Sequence, residues 1–219
     1  NVVQPLGYLD NILKSLYLDG NSILCGTTLG TIYSFDLNTK TFFLIHDFKR
    51  DNGIYYLGKR ANGDLIVGGV NQIGLTFISQ NGQIKDRFPM KGEKDFTFQN
   101  VRCVLEIETD VFLIGTRSEG LYYYNFTQKE LRHYKNNPSD KNGDNLPENY
   151  VTGIFKDSLG NIWIGTFGGG ISLFNVNKAT FKTYNTKNGL QDNNICAIIE
   201  DNNKHLWIST ISGISDLDY

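Results

Sequence analysis

His46, His133 and His205 are the side chains that titrate nearest neutral pH, so acid–base chemistry would have to draw on them or on carboxylates with raised pKa values. His205 falls in a turn pattern and His133 in a strand pattern, and both read as surface residues. No G-x-S-x-G, H-E-x-x-H or Walker pattern is present. Cys25, Cys103 and Cys196 make no C-x-x-C pair, which argues against structural zinc. Their odd number leaves at least one thiol free, and all three read as small buried hydrophobes. Asp140, Asn142 and Asp144 imitate the start of a calcium loop, but Val151 stands where its twelfth-position Glu belongs. Gly168, Gly169 and Gly170 could cradle a phosphate at a helix N-terminus, yet a strand pattern follows them, so they read as a turn. No catalytic constellation, metal set or cofactor set emerges. Carboxylates brought together from distant segments stay open as a glycosidase-like alternative.

The elements that would position these residues are strands. Of the 219 residues, 40% are hydrophobic and 20% charged, enough for a packed core. Net charge is −2 with the two signs mixed along the chain, which excludes the basic footprint of a nucleic-acid or membrane-surface binder. No apolar run approaches the ~20 residues of a membrane-spanning helix. Twenty-three glycines with 12 Tyr and 14 Phe suit many short strands joined by tight turns. The chain starts at Asn1 without an initiator Met or signal peptide, and reads as a piece of a longer protein.

Asp157 to Thr166, followed by Gly168 to Phe174, recurs as Asp201 to Thr210 followed by Gly213 and Ile214. Weaker copies run from Asn21, Asn62 and Asp110. The aligned small residues Gly26, Gly68, Gly115, Gly165 and Ser209 recur at intervals of 42, 47, 50 and 44 residues. A period near 45 residues filled with strand patterns is a propeller blade. The expected fold is therefore all-β: a β-propeller segment of about five four-stranded blades, part of a larger ring of the seven-bladed type. Its repeat units are approximately 12–48, 52–88, 100–134, 149–184 and 193–219.

Counting back from the aligned residues puts Cys103, Gly153, Ala197 and, with a shorter turn, Ser15 at one position of the first strand, where Tyr56 is the exception. That strand is expected to line the propeller axis, where small residues fit. Trp163 and Trp207 are expected further out, packed between blades. The fifth unit runs out before a fourth strand. Either Asn1 to Pro5 closes the ring there or further blades follow. The second is favoured because Pro5 lacks a ladder donor.

The run from Asp157 through Trp163 to Ile171 resembles the two-component regulator propeller repeat. So do Phe181 to Tyr184, Asn188 to Leu190, Asn193 to Ile195 and Glu200 with Asp201. The second unit departs: Gly68 and Gly69 lack the Thr, and Asn71, Gln72 and Ile73 replace the Gly cluster. The resemblance implies the periplasmic half of a hybrid two-component regulator of Bacteroides-type bacteria. There, propellers precede a β-sandwich, a membrane span and a histidine kinase, and many such proteins sense oligosaccharides.

On that implication the chain is a non-enzymatic, extracytoplasmic sensor region without cofactor. Its partners would be an oligosaccharide, the remaining blades and β-sandwich of its parent, and a second copy in a homodimer. Nucleic acid and direct membrane contact are not expected. The alternatives are a propeller lyase or glycoside hydrolase, and a protein-interaction scaffold. Loops at the rim supply the ligand candidates Thr28, Asn71, Arg117, Phe167, Asn188 and Gln191. Arg117 could fork onto a carboxylate or sulfate, and Phe167 could stack on a sugar ring.

Overall fold

The computed structural model describes residues 12–49, 52–88, 100–139 and 145–217. Blade one holds β1 (Leu13–Asp19), β2 (Ser22–Thr27), β3 (Thr31–Asp36) and β4 (Phe42–Asp47). Blade two holds β5 (Ile54–Lys59), β6 (Leu65–Gly69), β7 (Leu75–Ile78) and β8 (Ile84–Phe88). Blade three holds β9 (Val101–Glu108), β10 (Val111–Thr116), β11 (Leu121–Asn125) and β12 (Glu130–Tyr134). Blade four holds β13 (Val151–Lys156), β14 (Ile162–Thr166), β15 (Gly170–Asn175) and β16 (Thr180–Tyr184). Blade five holds β17 (Ile195–Glu200), β18 (Leu206–Thr210) and β19 (Gly213–Leu217), three strands among the described residues. Each sheet pairs its strands in chain order. Among the described residues the fold is all-β, with five blades of a β-propeller. The expected pairing of Asn1 to Pro5, and the Asp140, Asn142 and Asp144 loop, lie outside the described residues.

Turn chemistry fixes each hairpin. Between β13 and β14, Asp157 Oδ1 accepts from the backbone N–H groups of Leu159 (3.0 Å) and Asn161 (2.8 Å), and Gly160 takes a φ of 88°. Blade five repeats the turn with Asp201, but Lys204 takes the left-handed position at φ 69°, a conformation that costs a side chain some strain. The register is the one the repeat predicts: Ser15 faces Gly26, Tyr56 faces Gly68, Gly153 faces Gly165 and Ala197 faces Ser209. In all four pairs the register shifts one residue earlier, at Leu13/Ser15, Ile54/Tyr56, Val151/Gly153 and Ile195/Ala197. The repeat therefore encodes a β-bulge in its first strand, which re-aims the residue it leaves unpaired.

Two compact units meet in sequence at Val101 and Arg102. In the first, Leu24 and Ile32 of blade one pack against Ile54, Leu57, Leu65 and Val67 of blade two. In the second, Trp163, Ile171 and the half-buried Phe155 and Leu173 of blade four pack against Ile195, Ile208 and Leu206 of blade five. Tyr134 of blade three meets Phe174 and Phe181 of blade four edge-on, with ring centroids 5.0 and 5.8 Å apart.

Two expectations need correction. Trp163 is fully buried between blades, but its equivalent Trp207 is 39% exposed, because no described strand covers that face of blade five. Cys25 and Cys103 are buried, whereas Cys196 is exposed. Cys196 is the extra residue in the bulge of β17, which turns its side chain out of the packed face.

Candidate functional site

The loops at one end of each blade are tied to the strand entry beside them. Asn149 accepts from Gly120 N–H with its carbonyl (3.0 Å) and from Asn136 N–H with Oδ1 (2.8 Å). Asn193, its equivalent one blade on, accepts from Gly168 (3.1 Å) and Gly170 (2.9 Å) and, through Oδ1, from Thr186 (2.8 Å). Buried Leu146 and Leu190, three residues before each Asn, pin these links to the core. The Leu-x-x-Asn part of the repeat thus clips the entries of blades four and five onto the preceding blade's turn.

Each blade has an equivalent position at this turn, two residues after the aligned Gly or Ser. It is occupied by Thr28, Val70, Arg117, Phe167 and Ile211. The backbone N–H of Phe167 donates to Tyr150 O at 2.9 Å, and the equivalent bonds run from Thr28 to Ile12 O, Val70 to Gly53 O and Ile211 to Asn194 O. The backbone there is a rigid repeat, and the side chain is the variable.

At the junction of blades three and four those variables converge. The ring of Phe167, 44% exposed, stacks on Tyr150 with centroids 5.5 Å apart and planes 28° apart. The guanidinium of Arg117 lies 5.8 Å from the Tyr150 centroid, and that of Arg102, on β9, lies 5.9 Å from it. Each contact has cation–π geometry, worth about 0.5–1 kcal/mol at an exposed site. The carboxylate of nearby Glu148 accepts from Asn149 N–H at 2.6 Å. Two cations, one phenol and two aromatic faces can hold a ring by stacking and an anionic substituent by charge-assisted hydrogen bonds.

Arg117 and Phe167 were expected from sequence and are brought together. Tyr150, which joins them, and Arg102 were missed. Their signal was positional: Tyr150 immediately precedes the first strand of blade four, and Arg102 immediately precedes Cys103 in the first strand of blade three. Asn188 is exposed but engaged in its own loop, with Oδ1 accepting from Asn185 N–H and Nδ2 donating to Thr183 O. Gln191 is exposed, and its N–H donates to Ser215 Oγ at 3.1 Å. In the first unit, Thr28 is half-buried and Asn71 is an exposed turn residue at φ 53°.

The histidines are held by structural partners. His46 Nδ1 contacts Gly82 O at 2.8 Å. His133 stacks on Tyr122 at 3.9 Å, and burial lowers its pKa below the usual imidazole value. His205 pairs with Asp216 at 3.0 Å. Among the described residues no group of three or more His, Cys, Asp or Glu side chains converges as a metal site would require. A cavity of about 350 Å³, lined by Asn161, Phe174, Asn177, Thr180 and Lys182, lies at the opposite end of blade four from Phe167.

Segments 145–168 and 189–212 match the sequence pattern of the two component regulator propeller. Those two segments carry the two component regulator propeller repeat. Both matched segments run from the Asn clip through the bulged strand to the rim residue. Histidine kinase P4 of Formosa agariphila is 36% identical over 77 residues, 32% of this chain and 6% of that protein. The extracellular domain of a candidate hybrid two component system of B. thetaiotaomicron superposes with a TM-score of 0.76 at 20% identity, over 99% of this chain. Virginiamycin B lyase from Staphylococcus aureus superposes with a TM-score of 0.69 at 13% identity, over 96% of this chain and 71% of the lyase. At these identities the two structures share the fold. The chain spans 28% of the length of the B. thetaiotaomicron domain. Among the described residues no helix is long and apolar enough to cross a membrane.

Proposed function

We propose that this chain is part of the extracytoplasmic, periplasmic sensor region of a hybrid two-component signalling protein, that it recognises an oligosaccharide, and that it has no catalytic activity of its own. The match of 145–168 and 189–212 to the regulator propeller repeat carries the reading. The B. thetaiotaomicron neighbour, an extracellular domain, agrees with it in fold. Histidine kinase activity would reside elsewhere in the parent, along with the remaining blades and a β-sandwich. The rim formed by Arg102, Arg117, Tyr150 and Phe167 is the proposed contact surface for the sugar. It offers aromatic faces for a pyranose ring and guanidinium groups for a uronate or sulfate.

The test is calorimetric titration with a panel of neutral, uronate-containing and sulfated oligosaccharides, followed by product analysis after prolonged incubation. Binding without turnover, lost in Phe167→Ala and weakened in Arg117→Ala, supports the reading. Turnover abolished by one carboxylate substitution would replace it with a lyase or hydrolase. Binding untouched by both rim variants would move the site elsewhere.

A further inference from the structure

The front face of blade four, the one turned toward blade five, carries Phe155, Trp163, Leu173 and Lys182 in one row across its four strands. Trp163 fills that interface and is fully buried, with its Nε1–H donated to Asp157. The same row in blade one is Tyr17, Leu24, Ser34 and Phe43. Leu24, two residues before the aligned Gly26, stands where Trp163 stands before Gly165. Ser34 stands where Leu173 stands. An indole and an isobutyl group are thus replaced by an isobutyl group and a hydroxyl. This happens at a junction inside the chain, where blades one and two each have four strands.

The volume is not refilled. A cleft of about 160 Å³ lies there, walled by Leu24 of blade one and Leu65 of blade two. An engineered cavity of ~150 Å³ takes up one benzene molecule, so the cleft has room for one six-membered ring. Its polar lining is Asp19, Ser22, Ser34, Lys59 and Gln80. Asp19 follows Tyr17 by two residues, as Asp157 follows Phe155. With no indole to bind, Asp19 instead accepts from Lys59 of blade two through both oxygens, at 2.7 and 2.9 Å. The side chains of Ser22, Ser34 and Gln80 make no hydrogen bond among the described residues.

We propose that this cleft binds a neutral cyclic polyol, such as one unsubstituted pyranose unit. The ion pair leaves the site without net charge, so it selects neither anion nor cation. What it offers is an apolar wall for a ring and unpaired polar groups for hydroxyls. The Asp19 carboxylate has acceptor capacity beyond the two bonds from Lys59 and can take an O–H group. The hydroxyls of Ser22 and Ser34 and the amide of Gln80 each donate and accept. Phe43 continues the row one strand outward, 54% exposed, and presents a ring for stacking. The site shares no residue with the rim cluster and does not depend on it. Its chemistry also differs, because the two guanidinium groups of the rim suit an anionic substituent.

Titration of the isotope-labelled whole chain with glucose, galactose and myo-inositol, followed by amide chemical shifts, tests this. At least one of them should shift the signals of Ser22, Ser34 and Gln80 to saturation. Ser34→Leu restores the side chain found in blade four and should abolish those shifts, with an unchanged or higher melting temperature. Gln80→Ala, at an exposed position, should weaken binding roughly 2–10-fold through the loss of one hydrogen bond. It keeps the test decisive if Ser34→Leu does not fold. No saturable shift at these residues, shifts that survive in folded Ser34→Leu, or an affinity untouched by Gln80→Ala would each overturn the proposal. Shifts confined to Tyr150 and Phe167 would also overturn it and place the polyol on the rim. Cleft signals that respond to glucuronate and to none of the neutral compounds would overturn the ligand class.

Discussion

The indole Nε1 of Trp163 donates to Asp157 Oδ2 at 2.8 Å, with the carboxylate itself buried. The same carboxylate receives Asn161 Nδ2 at 2.9 Å and caps the turn that leads into β14. One side chain thus joins the hairpin turn to the inter-blade core. This is why Asp and Trp stand six residues apart in both strong repeats. In blade five Trp207 donates to Asp201 at 3.0 Å, but there the indole is partly open to water.

That difference sets the first expectation. Asp157→Ala leaves a buried indole N–H without its acceptor, costing about 1–3 kcal/mol. Trp163→Ala removes a fully buried aromatic and should cost about 3–5 kcal/mol. Trp207→Ala should cost clearly less, because its face is already exposed. Urea melts of the three variants at low protein concentration provide the comparison. Equal losses at Trp163 and Trp207 would show that the front face of blade five is covered in solution.

Acid stability should depend on Asp201 and Asp192. The Trp207 indole N–H, followed by backbone N–H donors, lowers the pKa of Asp201. The Ser212 hydroxyl and the Asn194 N–H do the same for Asp192. A group with a depressed folded-state pKa stabilises fully above its unfolded value, near ~3.9 for Asp, and that contribution disappears as pH falls through the folded value. The contribution of these two carboxylates should therefore be constant from neutrality down to about pH 5 and then fall. Asp201→Asn should shallow the fall while leaving the slope near neutrality unchanged. A variant with the wild-type acid limb would remove Asp201 from the account.

The blade pattern was legible because its determinants are local. The aligned Gly and Ser residues and the six-residue Asp–Trp spacing each act within one hairpin, so the register of Ser15, Gly153 and Ala197 could be counted directly. Half of the rim cluster was equally legible, since Arg117 and Phe167 occupy the loop position that varies from blade to blade. Tyr150 and Arg102 were not, because their role depends on contacts across the junction of two blades. Nor did the sequence separate Trp207 from Trp163. The two have the same local pattern, and only the presence of a neighbouring blade distinguishes them.

Thiol reactivity should separate the three cysteines. Burial pushes the Cys103 thiol up to about 12 and raises Cys25 as well, so neither offers thiolate near neutrality. Cys196 is exposed. Ellman's reagent should titrate one thiol per native chain quickly, and the other two only in denaturant. Cys196→Ser should abolish the fast phase. A fast phase that survives this substitution would mean that blade one or blade three opens locally.

The last expectation contrasts two glycines that face each other across one hairpin. A Cβ added at Gly165 would meet Ile195 Cγ2 at 2.8 Å and Cβ at 3.2 Å, with Ile198 Cδ1 at 3.3 Å. Ile195 is buried, so it cannot swing away, and the strain falls on the contact between blades four and five. Gly165→Ala should therefore destabilise by about 1–3 kcal/mol through overpacking. Its register partner Gly153 has no atom within 4 Å of the equivalent point. There Ala meets no clash and restricts the unfolded chain, so Gly153→Ala should be neutral or stabilising by up to ~1 kcal/mol. Denaturant midpoints of the two variants, with unchanged m-values, would establish that blade five approaches β14 at Gly165. A destabilising Gly153→Ala would mean that the open side of β13 is occupied in solution.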